Sequence, residues 1–245
     1  MQNSLPPSLP QLKSINFGRF TVQKNKAMKT KLLALALSLS SFQALAQIEE
    51  IYERSTITIR SGISVPKGAF GDKSNAGEKA GFAEQGYHIA AEYNGFIDNY
   101  FGLGLTFGIR RNPFDIEAYS EQKAPVKYYI HTNWRTNYLL ANAIFKYPLA
   151  PVLAIYMKVG AGASFNTHPD INSTESKKTL PEFLSKTQGF AYGIGSGIKW
   201  QGKKIGTNFE VYSLYTSAKF WHNNVTTKKD LDAINYSFGL SYKLK

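Results

Sequence analysis

The sequence predicts an all-β protein, an eight-stranded antiparallel up-and-down transmembrane β-barrel. Three observations predict this fold. Apolar residues alternate with small or polar residues in blocks of about ten residues, the length of a barrel strand that crosses a membrane. The apolar side of each block carries no charged residue. Short connections between blocks alternate with long ones.

The clearest block spans residues 101–110. Its odd positions are all large and apolar, and its even positions are glycine, threonine or arginine. Successive side chains of a β-strand point to opposite faces, so one face of this strand is entirely apolar. A half-buried strand of a soluble protein gives the same pattern, and the other blocks therefore decide between the two environments.

Eight such blocks follow one another, and we expect their apolar sides to face outward toward lipid. They span residues 57–65, 87–93, 101–109, 139–147, 155–165, 190–200, 205–215 and 234–244. A Lys or Arg that faces lipid at mid-bilayer costs roughly 2–4 kcal/mol, which explains the uncharged outward side. Arg135 and Asp232 share the outward parity of their strands, but they lie at the loop-side rim, where this cost falls to about 0–1 kcal/mol.

The connections between blocks provide an independent test of the fold. Short connections span 95–99, 148–153 and 201–204, and long connections span 66–82, 111–132, 166–187 and 216–231. Short turns on one side and long loops on the other are typical of outer-membrane barrels. Each strand that runs toward the short-turn side ends in an outward aromatic residue, which predicts an interfacial girdle. These residues are Tyr93, Tyr147, Trp200 and Tyr242.

Much of the positive charge lies before the barrel. Six of the 29 basic residues and none of the 17 acidic residues precede position 47, so the net charge of +12 falls to +6 for residues 47–245. Residues 28–46 have a basic start, an apolar stretch and small residues at Ala44 and Ala46, the pattern of a signal peptide. We expect residues 1–27 to be an upstream mis-start or a disordered leader, 47–54 a periplasmic lead-in, and 55–245 the barrel.

The chain contains no cysteine. This excludes a disulfide scaffold, a Cys-ligated zinc or iron–sulfur site, a thiol nucleophile and a diacylglycerol-anchored lipoprotein. The basic residues after position 46 are spread over strands, turns and loops, whereas nucleic-acid binding needs them on one face. We therefore expect neither a nucleic-acid partner nor a cofactor.

Three segments combine with the signal peptide into a family resemblance. They are GLGLTFGIR at 102–110, NYLLANAIFKYPL at 137–149 and INYSFGLSYKLK at 234–245. Together they resemble the small outer-membrane β-barrel protein families of Gram-negative bacteria, with OmpA/OmpX-type architecture over residues 55–245. The resemblance implies a location in the bacterial outer membrane.

An eight-stranded barrel is just wide enough for its side chains to fill, so we expect a packed polar interior. Inward glycines should leave room for Tyr138, Tyr156 and Tyr212. Since an unpaired buried charge is costly, the inward charges should form a structural network, with an ion path as the alternative. The expected lumen residues are Arg60, Glu84, His88, Glu92, Arg110, Lys146, Lys158, Lys199 and Glu210.

We predict no catalytic residue, cofactor site or metal site. His88 occupies an inward strand position with Glu84 and Glu92 four residues away on either side. This pattern permits a general base or proton relay oriented by a carboxylate. Because no nucleophile accompanies it at a fixed spacing, a structural lumen histidine is the better interpretation.

The predicted loops carry three histidines and two tryptophans near their ends. His131, His168 and His222 could share a metal, but their spacing matches no ligand motif, and we expect solvated side chains. Trp134 and Trp221 are interpreted as an interface belt at the outer rim.

Basic residues gather in the first and last long loops, where the phosphates of lipopolysaccharide would lie. They are Lys67, Lys73, Lys79, Lys219, Lys228 and Lys229. Cation–phosphate contacts with the outer leaflet are one interpretation, and ordinary solvated loop charges are the other.

The expected function is a non-enzymatic structural or interaction role at the cell envelope through four long extracellular loops. Outer-membrane lipid, lipopolysaccharide and loop-binding proteins are the expected partners, and a monomer is favoured. Two alternatives stay open. One is a lipid-modifying outer-membrane enzyme that uses His88 or a loop histidine, and the other is a narrow solute channel through the basic lumen.

Overall fold

The structure is a computed structural model, and it describes residues 54–74, 80–122, 128–130, 132–173, 186–222 and 225–244. The expected leader, signal peptide and most of the periplasmic lead-in, residues 1–53, lie outside the described residues.

The described residues form β-strands, one α-helix and a short 3-10 helix at Gly68–Phe70. The strands are β1 (Ser55–Pro66), β2 (Gly86–Phe96), β3 (Phe101–Asn112), β4 (Tyr128–Ile130), β5 (Trp134–Ala150), β6 (Leu153–Thr167), β7 (Ile171–Ser173), β8 (Lys186–Gln201), β9 (Ile205–His222), β10 (Val225–Asp230) and β11 (Ala233–Leu244). The helix, α1, spans Ile116–Gln122.

Eight long strands close into a barrel in chain order: β1, β2, β3, β5, β6, β8, β9 and β11. Every neighbouring pair is antiparallel, and the pairing of β11 with β1 completes the circle. Closure pairs the backbone groups of the wall between strands, which is what a hydrocarbon environment requires. The predicted eight-stranded up-and-down barrel is confirmed.

The two faces of the wall differ as the alternation predicts. The outward face exposes large apolar side chains, such as Ile59 at 62% and Phe190 at 64%, whereas inward neighbours such as Thr58 and Ala191 are buried. The four outward aromatic residues at the short-turn side are half-exposed: Tyr93, Tyr147, Trp200 and Tyr242. An apolar belt that runs around a whole barrel is far larger than the patches that water-soluble monomers expose.

The connections differ in length at the two ends of the barrel. Residues 97–100, 151–152 and 202–204 form the short turns. The long connections contain the 3-10 helix, α1, and the strands β4 and β7, which pair with each other. No helix within the described residues is long and apolar enough to cross a membrane.

The fourth predicted loop, 216–231, is wrong in part. Strand β9 continues to His222, and β10 pairs back on it, from Asp230 opposite Ser217 to Val225 opposite His222. This stretch contains three Thr, one Val, Phe220 and Trp221, residue types that favour strands, so the ladder extends beyond the rest of the wall.

Candidate functional site in the lumen and at the long-loop end

Four charged side chains form a ring inside the barrel. Arg60 on β1, Glu92 on β2, Lys158 on β6 and Glu210 on β9 each lie inward because they share the polar parity of their strands. Their side chains are only 2–3% exposed. Strands β1 and β6 lie on opposite sides of the eight-stranded circle, so the ring spans the lumen.

Cations and carboxylates alternate around the ring. Arg60 Nη1 donates to Glu210 Oε2 at 2.6 Å, and its Nη2 contacts Glu92. Lys158 Nζ donates to Glu92 Oε2 at 2.7 Å and to Glu210 Oε1 at 3.0 Å. Two positive and two negative charges therefore cancel within one buried cluster.

Neutral side chains supply further donors to the two carboxylates. The Tyr156 hydroxyl donates to Glu210 at 2.9 Å, and the Thr106 hydroxyl donates to Glu92 at 2.8 Å. A buried ion pair stabilises a fold only when such hydrogen bonds satisfy its remaining lone pairs. Loss of one partner from a buried pair typically destabilises a protein by about 3–5 kcal/mol, because the other charge is then uncompensated.

Inward glycines provide the space for the lumen tyrosines, as expected from the sequence. A Cβ built at Gly197 would lie 2.6 Å from the Tyr156 ring, and one at Gly193 would lie 2.6 Å from the Tyr212 ring. At Gly108 the three nearest atoms all belong to the Tyr138 side chain. Larger residues at these positions would displace the rings that fill the barrel.

His88 and Arg110 lie on the long-loop side of the ring. The His88 Nε2 atom is 2.5 Å from the Tyr138 hydroxyl, and the two rings are stacked. Arg110 Nη2 donates to the Leu231 carbonyl at 2.7 Å and to Thr136 at 3.1 Å. A carbonyl from the last long loop thus accepts from this guanidinium, which lies outside the charged ring.

Glu84 does not belong to the lumen, and its predicted place there is wrong. Strand β2 begins only at Gly86, so the alternation does not extend back to Glu84. Its side chain is 46% exposed and lies 3.0 Å from Lys73 in the first long loop. The predicted flanking of His88 by two carboxylates is therefore not present.

Lys146 and Lys199 lie nearer to the short turns. Lys146 Nζ is 4.1 Å from the centre of the Phe96 ring, a cation–π contact, and Lys199 is buried. Both line a cavity of about 20 Å³ that Arg60 and Glu92 also line. A cavity of this size holds about one water molecule.

An apolar cluster, here called the plug, packs at the long-loop end. Its largest members are Phe70, Phe82, Phe114, Trp134, Phe220 and Leu231. They come from the first, second and last long connections and from the ends of β5 and β9. Sequence reasoning missed the plug, although Phe70, Phe82 and Phe114 were a signal, since large aromatic residues are uncommon in solvated loops.

Trp134 and His168 both pack in or beside the plug, so the interface position predicted for Trp134 and the solvated side chain predicted for His168 are wrong. Trp134 is 2% exposed, and its indole Nε1 donates to the Gly81 carbonyl at 2.8 Å. The His168 ring lies 4.5 Å from the Trp134 ring and 5.4 Å from the Phe220 ring. The long loops fold inward over the barrel, and so they bury residues that a solvated loop would expose.

The other predicted loop residues of this kind are not described in full. His131 and the side chains of His222 and Trp221 lie outside the described residues. Within the residues that the structure does describe, no group of three or more His, Asp or Glu side chains could hold a metal ion.

A clamp centred on Lys73 joins the first two long connections. Lys73 Nζ donates to Asp115 at 2.6 Å and to Glu84 at 3.0 Å. The bond from Lys73 lowers the pKa of Asp115, with help from the Ala118 backbone N–H. The same bonds, from Asp115 first and then Glu84, raise the pKa of Lys73.

The lysines predicted to contact lipopolysaccharide fall into two groups, those bonded to the protein itself and those that are exposed. Lys73 is held in the clamp, and Lys229 donates to the Ala80 carbonyl at 3.0 Å, so these two lysines contact the protein itself. Lys67, Lys219 and Lys228 are exposed at the long-loop end. Lys79 lies outside the described residues.

A closed antiparallel barrel with an apolar exterior and a paired, charged interior is an integral membrane protein of the β-barrel class. The chain belongs to the family described as the outer membrane protein beta-barrel domain, whose sequence model matches residues 32–243. Its location is the bacterial outer membrane.

Solved structures similar to this chain include the following three proteins. Neisserial surface protein A has a TM-score of 0.47 and 10% identity, with 78% of this chain and 97% of that chain covered. Ail, the attachment invasion locus protein of Yersinia pestis, has a TM-score of 0.44 and 12% identity, with 78% and 99% covered. The outer membrane protein W of E. coli has a TM-score of 0.38 and 14% identity, with 78% and 99% covered. A comparison with curated proteins finds no match.

Proposed function

We propose that this protein is a closed, non-enzymatic scaffold of the outer membrane that presents its long loops to the cell exterior. The observation that carries the proposal is the ring of Arg60, Glu92, Lys158 and Glu210, which crosses the lumen with all four side chains buried. A solute that passed along the axis would have to separate these pairs. That separation is costly for charges that are buried in the barrel.

The long-loop end supports the scaffold role. The plug and the Lys73 clamp hold the first two long connections against the barrel, so the loops have a defined surface. A rigid surface binds partners with a smaller loss of conformational entropy than a flexible surface does. Lys67, Lys219 and Lys228 add exposed positive charge there, which suits anionic lipopolysaccharide as a partner.

Conductance tests the closed lumen directly. The purified barrel is reconstituted into a planar lipid bilayer, and steady current is recorded under an applied voltage. We expect no discrete current steps, and a current equal to that of the protein-free bilayer. Steady, reproducible conductance steps from the wild-type protein would support the channel alternative and overturn the proposal.

Trypsin treatment of intact and lysed cells tests the orientation. Lys67 and Lys219 are exposed at the long-loop end, and Lys203 and Lys204 are exposed in a short turn at the opposite end. We expect cleavage at the first pair in intact cells and at the second pair only after lysis. The opposite order would show that the long loops face the periplasm.

The enzyme alternative is tested through His88. The His88→Ala variant should leave the lipid profile of the outer membrane unchanged, because the imidazole is buried against Tyr138 and away from lipid. Loss of a modified lipid species in this variant, at normal barrel abundance, would favour the enzyme instead.

A further inference from the structure

Two arginines face each other on the outward wall at the long-loop end. Arg111, near the end of β3, pairs in register with Arg135, near the start of β5. Both have the outward parity of their strands, which they share with Phe107 and Leu139 lower on the wall. The position of Arg135 at this rim follows from its parity in the sequence, whereas its pairing with Arg111 does not.

This arrangement places two like charges in direct opposition. Side chains opposite each other in an antiparallel pair have Cβ atoms about 4.5–5.5 Å apart, and like charges there are destabilising. Within the described part of the chain, neither guanidinium contacts a carboxylate. Arg135 Nε donates only to the Asn137 amide oxygen at 3.2 Å, and the buried Arg111 Nε has no hydrogen-bond partner.

A cleft beside Arg135 has both polar and apolar walls. It measures about 420 Å³ and lies on the outer surface of β5, β6 and β8. Thr167, which pairs with Arg135 in register, and Gln188 line it with polar groups. Phe165, which is 47% exposed, lines its membrane side. A ligand here would meet polar groups at one end and an aromatic ring at the other.

We propose that Arg111 and Arg135 bind the phosphate of a membrane lipid that carries a phosphomonoester headgroup. A phosphomonoester has about −1.5 to −2 charges at neutral pH, which matches two guanidinium groups. It also offers three acceptor oxygens, and arginine binds such groups through paired N–H donors. Bound phosphate would remove the repulsion between the two arginines.

The location selects a lipid over a soluble anion. Arg111 lies one outward position beyond Ile109, and Arg135 lies two beyond Leu139, so both are at the level where headgroups meet the hydrocarbon. Phe165 at the cleft contacts the start of an acyl chain in the same lipid. This inference requires only the membrane location of the barrel, so it holds or fails separately from the closed-lumen proposal.

Lipid retention measures the site. The full folded barrel is placed in phosphatidylcholine nanodiscs with a small fraction of phosphatidic acid, transferred to detergent, and the retained lipid per barrel is counted by mass spectrometry. The test variant is Arg111→Gln/Arg135→Gln. The matched control, Lys203→Gln/Lys204→Gln, removes the same charge from the exposed short turn at the opposite end.

We expect the arginine variant to retain at least about tenfold less phosphatidic acid than wild type, because charged hydrogen bonds are lost. The lysine control should match wild type, and phosphatidylglycerol, a diester, should be retained poorly by all three proteins. Equal retention by the arginine variant and wild type would overturn the proposal. Equal loss in both charge variants would overturn it too, since net charge alone would then explain retention.

Two further measurements keep the result interpretable. Arg111→Glu should fold well, because it replaces the like-charge pair by an ion pair with Arg135, and yet it should lose lipid retention. Inorganic phosphate serves as the soluble competitor. If it displaces phosphatidic acid at an equal concentration, the site recognises a free anion and the lipid assignment is wrong.

Discussion

Lys158 on β6 reaches across the barrel lumen to Glu92 on β2, with 2.7 Å between Nζ and Oε2. The two residues are 66 positions apart in the chain, and their strands are not neighbours in the wall. The contact therefore ties distant parts of the circle together through its interior. The lumen side chains therefore stabilise the barrel wall as well as block its axis.

Removal of the Lys158 charge should weaken the barrel strongly. In Lys158→Met, Glu92 and Glu210 share only Arg60, so we expect the free energy of unfolding to fall by about 3–5 kcal/mol. Urea unfolding in lipid vesicles, followed by tryptophan fluorescence, measures this change. The exposed-turn variant Lys203→Met should stay within about 0.5 kcal/mol of wild type.

A double variant distinguishes charge balance from packing. Lys158→Met/Glu210→Gln removes one charge of each sign from the ring. Its loss of stability should be smaller than the sum of the two single losses, because neighbouring charges are coupled. A strictly additive result would show that the ring does not act as a charge-balanced unit.

The lumen glycines make a sharper prediction about shape. A Cβ at Gly108 would overlap the Tyr138 side chain, whereas at Gly95 the nearest atoms are 4.0 Å away. Gly108→Ala should therefore destabilise the barrel by about 1–3 kcal/mol through overpacking. Gly95→Ala, in a neighbouring strand, should leave the urea midpoint almost unchanged. Similar effects of the two substitutions would contradict the predicted close packing of Gly108 against the Tyr138 side chain.

The alternation in the sequence was enough to predict the wall of the barrel. Parity alone placed Arg60, Glu92, Lys158 and Glu210 inward, because a strand has only two faces. Which of these charges meet depends on the tilt and stagger of the strands, and the alternation period does not contain that information. Glu84 was misplaced for a related reason, since parity is meaningful only within the strand and β2 begins at Gly86.

The plug could not be predicted in the same way. Phe70, Phe114 and Phe220 come from separate long connections or strand ends, and their contacts are non-local. No period relates such residues, so the sequence showed only that the predicted loops were unusually aromatic. Of the Arg111–Arg135 pair, the sequence predicted only the position of Arg135 at the rim. The register between β3 and β5 was needed to place Arg111 beside it.

The Lys73 clamp should make loop stability depend on pH. Because its folded pKa is lowered, Asp115 contributes stability above its ordinary pKa, and the contribution is lost as pH falls through the folded value. Because its folded pKa is raised, Lys73 contributes below its ordinary pKa, and the contribution is lost as pH rises through the folded value.

The difference in unfolding free energy between wild type and Lys73→Met measures the clamp. Lys73 is 39% exposed, so we expect less than about 1 kcal/mol at neutral pH. The difference should shrink toward zero in acid below the ordinary range of Asp115, and again in strong alkali. A difference that stays constant from acid to alkali would mean that packing, not charge, accounts for the effect of Lys73.

Trp134 allows the plug to be separated from the charge ring. Trp134→Ala removes a buried ring that contacts Phe70, His168 and Phe220, and we expect a loss of about 3–5 kcal/mol in unfolding free energy. Trypsin should then cut the long loops of the membrane-embedded protein faster. The bilayer should still show no steady current, because the ring of four charged side chains lies deeper in the lumen and is intact.

Trp200→Ala is the matched control, since Trp200 is 49% exposed on the lipid-facing wall at the short-turn end. It should not change the rate of loop cleavage. Trp134→Phe should fall between wild type and alanine, because it keeps an aromatic ring but loses the bond to the Gly81 carbonyl. Steady conductance in Trp134→Ala would show that the plug, and not the ring of charged side chains, closes the barrel.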